Sequence, residues 1–135
     1  MRAAVEVAGG VAIVDLEEEN VVDVEPGSSI EPPEVEVGLP LVVSADRSGP
    51  LIVAVVARRP PLVVSRDAGS TWRETGSGLP PGRAVAISPA HPDLILFASE
   101  SRLYLSRDGG RFWHGLALEL DGVRALEWLQ ETDSA

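Results

Sequence analysis

Residues 65–72 read Ser-Arg-Asp-Ala-Gly-Ser-Thr-Trp and residues 106–113 read Ser-Arg-Asp-Gly-Gly-Arg-Phe-Trp, so Ser, Arg, Asp, Gly and Trp recur in register at an offset of 41. Identity at five of eight positions at one offset marks an internal repeat with a period of 41 residues. The flanks repeat as well. Leu62-Val63-Val64 leads into the first octet and Leu103-Tyr104-Leu105 into the second, while Val42-Val43-Ser44 before Leu51-Ile52-Val53 answers to Ala86-Ile87-Ser88 before Leu94-Ile95-Leu96.

The residue types give each octet a structural role. A short Asp side chain accepts backbone N–H bonds a few positions on, Gly adopts positive φ at no steric cost, and Ser adds a second local bond. Ser65, Asp67, Gly69, Thr71 and Trp72, with Ser106, Asp108, Gly110 and Trp113, are therefore expected to build two tight hairpins whose indoles pack between neighbouring sheets.

Around the octets, apolar runs of strand length alternate with Gly and Pro punctuation at Gly9-Gly10, Ser48-Gly49-Pro50, Arg59-Pro60-Pro61, Pro80-Pro81-Gly82 and Pro89-Ala90-His91-Pro92. β-Branched runs bounded in this way are strands, and the chain reads as all-β. Segment 26–40, with Pro26, Pro32, Pro33 and Pro40, reads as an extended linker. Segment 116–132 alone has helical character, through the stripe Leu116, Leu120, Val123, Leu126, Leu129, which Gly122 interrupts.

The octets resemble the Asp-box, or BNR repeat (S-x-D-x-G-x-T-W), of sialidase-like β-propellers. The first copy matches every specified position and the second departs only at Phe112, and the resemblance covers roughly residues 40–130. It implies four-stranded antiparallel blades, with each octet joining the third strand to the fourth at the periphery. On that basis the expected order is a partial blade over 1–25, the linker 26–40, blades over 41–79 and 80–121, and a closing strand with tail over 122–135. The strand at 122–129 aligns with an innermost strand and can complete the blade begun by 3–7, 11–16 and 20–25. Three blades fall short of the four to eight that close a propeller, so a half-propeller completed by a second copy as a six-bladed homodimer is expected, with a piece of a longer propeller or a compact non-propeller stack of sheets as the alternatives.

Composition narrows the function classes. The 135 residues carry 11 Arg, no Lys and 21 acidic groups, a formal net charge of −10. Such a balance repels nucleic-acid backbones and anionic membranes. Ten of the acidic groups, against the single Arg2, lie within residues 1–36, either as a solvated surface or as a face for a basic protein partner. No Cys is present, which removes disulfides, thiolate metal sites and cysteine nucleophiles. The N-terminus has no secretory pattern and no apolar run is long enough to span a bilayer, so a cytoplasmic location is expected.

Sialidase-type catalysis, as the resemblance implies it, needs a Tyr nucleophile paired with Glu, an Asp acid/base and three clamping Arg. The chain has one Tyr, Tyr104, on the strand that enters the second octet, and Arg58-Arg59-Pro60-Pro61 does not reproduce the family's Phe-Arg-Ile-Pro signature. No carboxylate pair is singled out by spacing. His91 and His114 make a poor metal site, Trp128 is equally suited to core or interface, and no cofactor is implied. The expected function is a non-catalytic binding or scaffold module, with a sialidase-like glycoside hydrolase as the alternative.

Overall fold

The computed structural model describes residues 1–130. Twelve strands form in chain order: β1 (Arg2–Val7), β2 (Gly10–Asp15), β3 (Asn20–Pro26), β4 (Val42–Ser48), β5 (Leu51–Val56), β6 (Leu62–Ser65), β7 (Arg73–Thr75), β8 (Ala84–Ile87), β9 (Ile95–Ala98), β10 (Leu103–Ser106), β11 (His114–Gly115) and β12 (Ala125–Leu129). There is no helix among the described residues, and so none long and apolar enough to cross a membrane.

The strands make three four-stranded antiparallel sheets. The N-terminal sheet has the order β12-β1-β2-β3, the second β4-β5-β6-β7 and the third β8-β9-β10-β11. The second and third are simple meanders whose strands fall where the repeat places them. The N-terminal sheet is assembled from both ends of the chain: β12 pairs antiparallel with β1, Arg2 opposite Leu129 and Glu6 opposite Ala125.

The third sheet lies between the other two, and its sequence shows why. Successive side chains of a strand point to opposite faces, and Ala-Val-Ala-Ile in β8 and Ile-Leu-Phe-Ala in β9 are buried at every position. Ala84, Ala86, Leu96, Ala98, Leu103 and Leu105 pack on Ala3, Val5, Val14 and Leu16 of the N-terminal sheet. From the opposite face Val85, Ile87, Ile95 and Phe97 meet Val53, Val55, Leu62 and Val64 of the second sheet. A strand covered on both sides has no polar face to present, hence the continuous apolar runs. Gly82 sits where this core is tightest: a Cβ there would come within 2.4 Å of Phe97 Cε2.

The two outlying sheets keep one further face each, and segment 27–41 covers both. Ile30 is buried against Ala4, Val11 and Ala125 of the N-terminal sheet, and its amide donates to Glu6 Oε1 at 2.8 Å. Val35, Val37 and Leu39 pack on Ala45, Ala54, Val56 and Val63 of the second sheet. The segment expected to be a linker is extended and strandless, but it also acts as a strap over apolar surface.

The helical expectation for 116–132 is corrected. Residues 116–124 form no regular element and 125–129 are strand β12. The Leu/Val stripe is real, since Leu116, Val123 and Leu126 are all buried in the cluster between the N-terminal and third sheets, yet it marks a chain crossing that core, not one face of a helix. Gly122, at φ 67°, turns the backbone out of helical geometry. The expected strand 122–129 begins three residues later than anticipated, and the tail 131–135 lies outside the described residues.

Candidate functional site

The two octets form the hairpins between β6 and β7 and between β10 and β11, the third and fourth strands of their sheets. In the first, the fully buried Ser65 hydroxyl donates to Asp67 Oδ1 at 2.8 Å and accepts the Gly69 amide at 2.7 Å. Asp67 closes the loop by accepting the Thr71 amide on Oδ1 at 2.8 Å and the Thr71 hydroxyl on Oδ2 at 2.6 Å. These donors, the Thr71 hydroxyl foremost, lower the Asp67 pKa from 3.8 to about 2.

The second octet repeats the pattern with one loss. Ser106 donates to Asp108 Oδ1 at 2.9 Å and accepts from Gly110 at 2.8 Å, and Asp108 Oδ1 accepts the amides of Arg111 and Phe112, both at 3.0 Å. Phe112 stands where the first copy has Thr71, so no hydroxyl reaches the carboxylate, and its ring is 80% exposed. The Asp108 pKa is also lowered, chiefly by the Phe112 amide.

The octets are joined to one another. Arg66 Nη2 donates to the Gly109 carbonyl at 2.9 Å, and the Thr75 hydroxyl donates to the Gly110 carbonyl, which also accepts Trp113 Nε1 at 3.1 Å. The indoles have different settings. Trp113 lies between the second and third sheets, 6.1 Å from the Phe97 ring centroid. Trp72 packs on the outer face of the second sheet beside the strap, which corrects the expectation that both indoles are held between sheets. Sequence reasoning did not anticipate the Arg66 link, although the recurrence of that residue as Arg107 was its visible signal.

At the other edge of the sheets β8 lies beside both β4 and β12. Side chains supply the bonds that the strands do not make with each other: Ser44 Oγ accepts the Val85 amide at 3.3 Å, Asp46 Oδ2 accepts the Ile87 amide at 2.7 Å, and Trp128 Nε1 donates to the Ala86 carbonyl at 2.9 Å. Trp128 is thus a half-buried bridge between the N-terminal and third sheets. Burial raises the Asp46 pKa above 3.8, against the lowering effect of the Ile87 and Arg47 amides. None of the three was identified as a site residue from sequence, because each acts on a strand about 40 residues away.

Between these edges and the strap lies a cleft of about 390 Å3, lined by Glu34, Glu36, Val43, Ser44, Arg83 and Arg124 among others. Arg124 Nε lies 3.6 Å from Glu6 Oε2 and Arg83 Nη2 lies 3.9 Å from Glu100 Oε2. The cleft is mixed in charge and open.

Tyr104 is elsewhere, half-buried on β10 with its ring 5.8 Å from Phe97. His114 Nε2 lies 3.3 Å from Glu19 Oε2, whose other oxygen accepts the Ala117 amide at 2.6 Å. That amide and His114 lower the Glu19 pKa. His91 is exposed in its turn. Among the described residues no three His, Asp or Glu side chains converge to hold a metal ion.

No family model, curated protein or solved structure matches the chain.

Proposed function

We propose that the chain is a non-catalytic binding or scaffold module of Asp-box type, three blades of a β-propeller whose ligand meets the cleft between β4, β8 and β12. One observation carries this reading: each sheet has its first strand, β4, β8 or β12, at the cleft, and the hairpin of its third and fourth strands at the opposite rim. The Asp-box polar groups are occupied in local turn bonds, and Tyr104 packs between sheets. Both placements favour binding over hydrolysis.

The reading includes a second copy that completes six blades. Two features support it. The outer faces of the N-terminal and second sheets are covered by a single extended segment, a thinner cover than the sheet-on-sheet contacts elsewhere. The two ends are also opposite in charge: residues 1–26 hold seven acidic groups against one Arg, and residues 42–79 hold five Arg against three acidic groups. A two-fold axis would bring each end against its complement twice. The N-terminal sheet also offers a basic protein partner the wholly exposed β3, which carries Asp23 and Glu25 beside Val21, Val22 and Val24.

Sedimentation equilibrium on the full chain, with a fluorogenic sialoside assay beside it, tests the proposal. The expected result is a species of roughly twice 14.3 kDa, stability that rises with concentration, and no turnover. A monomer at all concentrations overturns the six-bladed assembly, and sialoside hydrolysis overturns the binding module.

A further inference from the structure

On the rim, between the two octets, lies a second cleft of about 540 Å3. Its walls bring together Arg66, Arg73 and Arg111, three of the chain's eleven arginines in a molecule of net charge −10. Arg66 and Arg73 come from the second sheet and its hairpin, and Arg111 from the second octet, so only the packing of the second sheet on the third places them in one cleft.

Among the described residues none of the three forms an ion pair with a carboxylate. Two acidic residues do share the cleft, Asp67 and Glu74. The Asp67 oxygens are taken by Ser65 and Thr71, and its lowered pKa is caused by those donors and not by the arginines. Arg66 spends one Nη2 bond on the Gly109 carbonyl, which orients the group and leaves its other N–H donors unused. Three guanidiniums against two carboxylates leave the cleft with an excess of positive charge in an acidic molecule, and the planar fork of guanidinium matches the oxygens of a phosphate or sulfate.

From this geometry we propose that the rim cleft is a binding site for a tetrahedral oxyanion, the phosphate or sulfate group of a larger ligand, held by Arg66, Arg73 and Arg111. Arg73 and Arg111 are exposed and supply charge and bidentate donors, and Arg66 is the oriented member. The site is three strands away from the β4 edge of the second sheet, and it stands whether or not a second copy closes the ring.

Titration calorimetry of the full chain with inorganic phosphate and with sulfate, at ionic strength matched with chloride, tests this. Saturable binding is expected that chloride does not reproduce. Arg73→Gln with Arg111→Gln is expected to weaken it by about tenfold or more, the loss of charge-assisted bonds, while Arg102→Gln, which removes a guanidinium paired with Glu119 at 3.3 Å, leaves it unchanged. Between pH 5.5 and 7.5 inorganic phosphate gains charge as its second proton leaves, as a phosphate monoester does with a pKa of about 6, and sulfate does not. Binding that tightens across this range marks a phosphate-bearing ligand, and equal or tighter binding of sulfate at pH 7.5 marks a sulfate ester. Binding no stronger than chloride's, or an equal loss in Arg102→Gln, or none in the double variant, overturns the site. Should the double variant not fold, amide shifts of the unmodified chain decide: phosphate must perturb residues 66–75 and 109–112, and perturbation elsewhere alone refutes the proposal.

Discussion

Ala68 and Gly109 occupy the same position of the two octets, and both stand in the left-handed region, at φ 59° and 75°. The following Gly69 and Gly110 are left-handed too, at 96° and 97°. An L-residue in this conformation costs about 1–2 kcal/mol, partly offset because Ala has less backbone freedom to lose on folding than Gly. Ala68→Gly should therefore stabilise the chain by about 0.5 kcal/mol, and Gly109→Ala should destabilise it by about 1 kcal/mol. Urea midpoints measure both, and two shifts of the same sign would show that the two hairpins do not share a backbone.

Phe112→Thr restores the motif's hydroxyl beside Asp108 and removes a ring that is 80% exposed. A gain of about 0.5 kcal/mol is expected, at the low end for a hydrogen bond because the site is open to water. The same replacement combined with Asp108→Ala should give no gain. An equal gain in both backgrounds would mean that the hydroxyl finds another partner.

The acid limb of stability should contain carboxyl contributions of opposite sign, with Asp67 and Asp46 as the contrasting pair. Asp67 has a folded pKa of about 2 against 3.8, so its stabilising contribution is complete above about pH 4 and is lost as pH falls toward 2. Asp46 is raised by burial, so the fold disfavours its ionised form and its contribution improves as pH falls through that raised value. Asp67→Asn should flatten the loss between pH 4 and 2, whereas Asp46→Asn should steepen the net acid loss by removing the opposing term. Urea midpoints across this range decide it; an unchanged slope in Asp67→Asn would falsify the assignment.

The indoles should rank by their settings. Trp113→Ala opens the seam between the second and third sheets and should cost about 3 kcal/mol, whereas Trp72→Ala, on the outer face of the second sheet, should cost less. Trp128→Phe keeps most of the ring and loses the bond to Ala86, at about 1 kcal/mol. Thermal unfolding gives the order, and Trp72 proving the costliest would mean that its face carries a sheet in solution.

Gly82→Ala drives a methyl group into Phe97 and Val55, with a contact of 2.4 Å at Phe97 Cε2. Since Phe97 is fully buried and cannot swing aside, a loss of about 1–3 kcal/mol is expected. Leu126→Ala, a cavity between the N-terminal and third sheets, should cost about 2–4 kcal/mol. A parent-like melting temperature for Leu126→Ala would show that β12 does not dock on this core.

The sequence by itself determined the strands of the second and third sheets and the two hairpins that close them, because these depend on bonds spanning four residues or fewer. Ser65, Asp67, Gly69 and Thr71 carry the turn in their own side chains and backbone preferences, so the octet reads as a hairpin wherever it stands. The apolar runs of β8 and β9, bounded by Gly and Pro, likewise read as strands. What lies between units was decided by tertiary structure. The pairing of β12 with β1 joins residues about 120 positions apart and was legible only through the repeat, which leaves 122–129 as the missing first strand of the N-terminal sheet, while a periodic reading of 116–132 takes residues crossing a core for one face of a helix. Trp72 and Trp113 share a motif but not an environment, since Trp113 lies in the seam between the second and third sheets and Trp72 on the outer face of the second. The same holds for the clefts: Ser44 and Asp46 bond to β8, and Arg66, Arg73 and Arg111 share one wall, only because whole sheets pack face to face. That packing minimises exposed apolar area over the entire chain, a quantity that no window of residues contains.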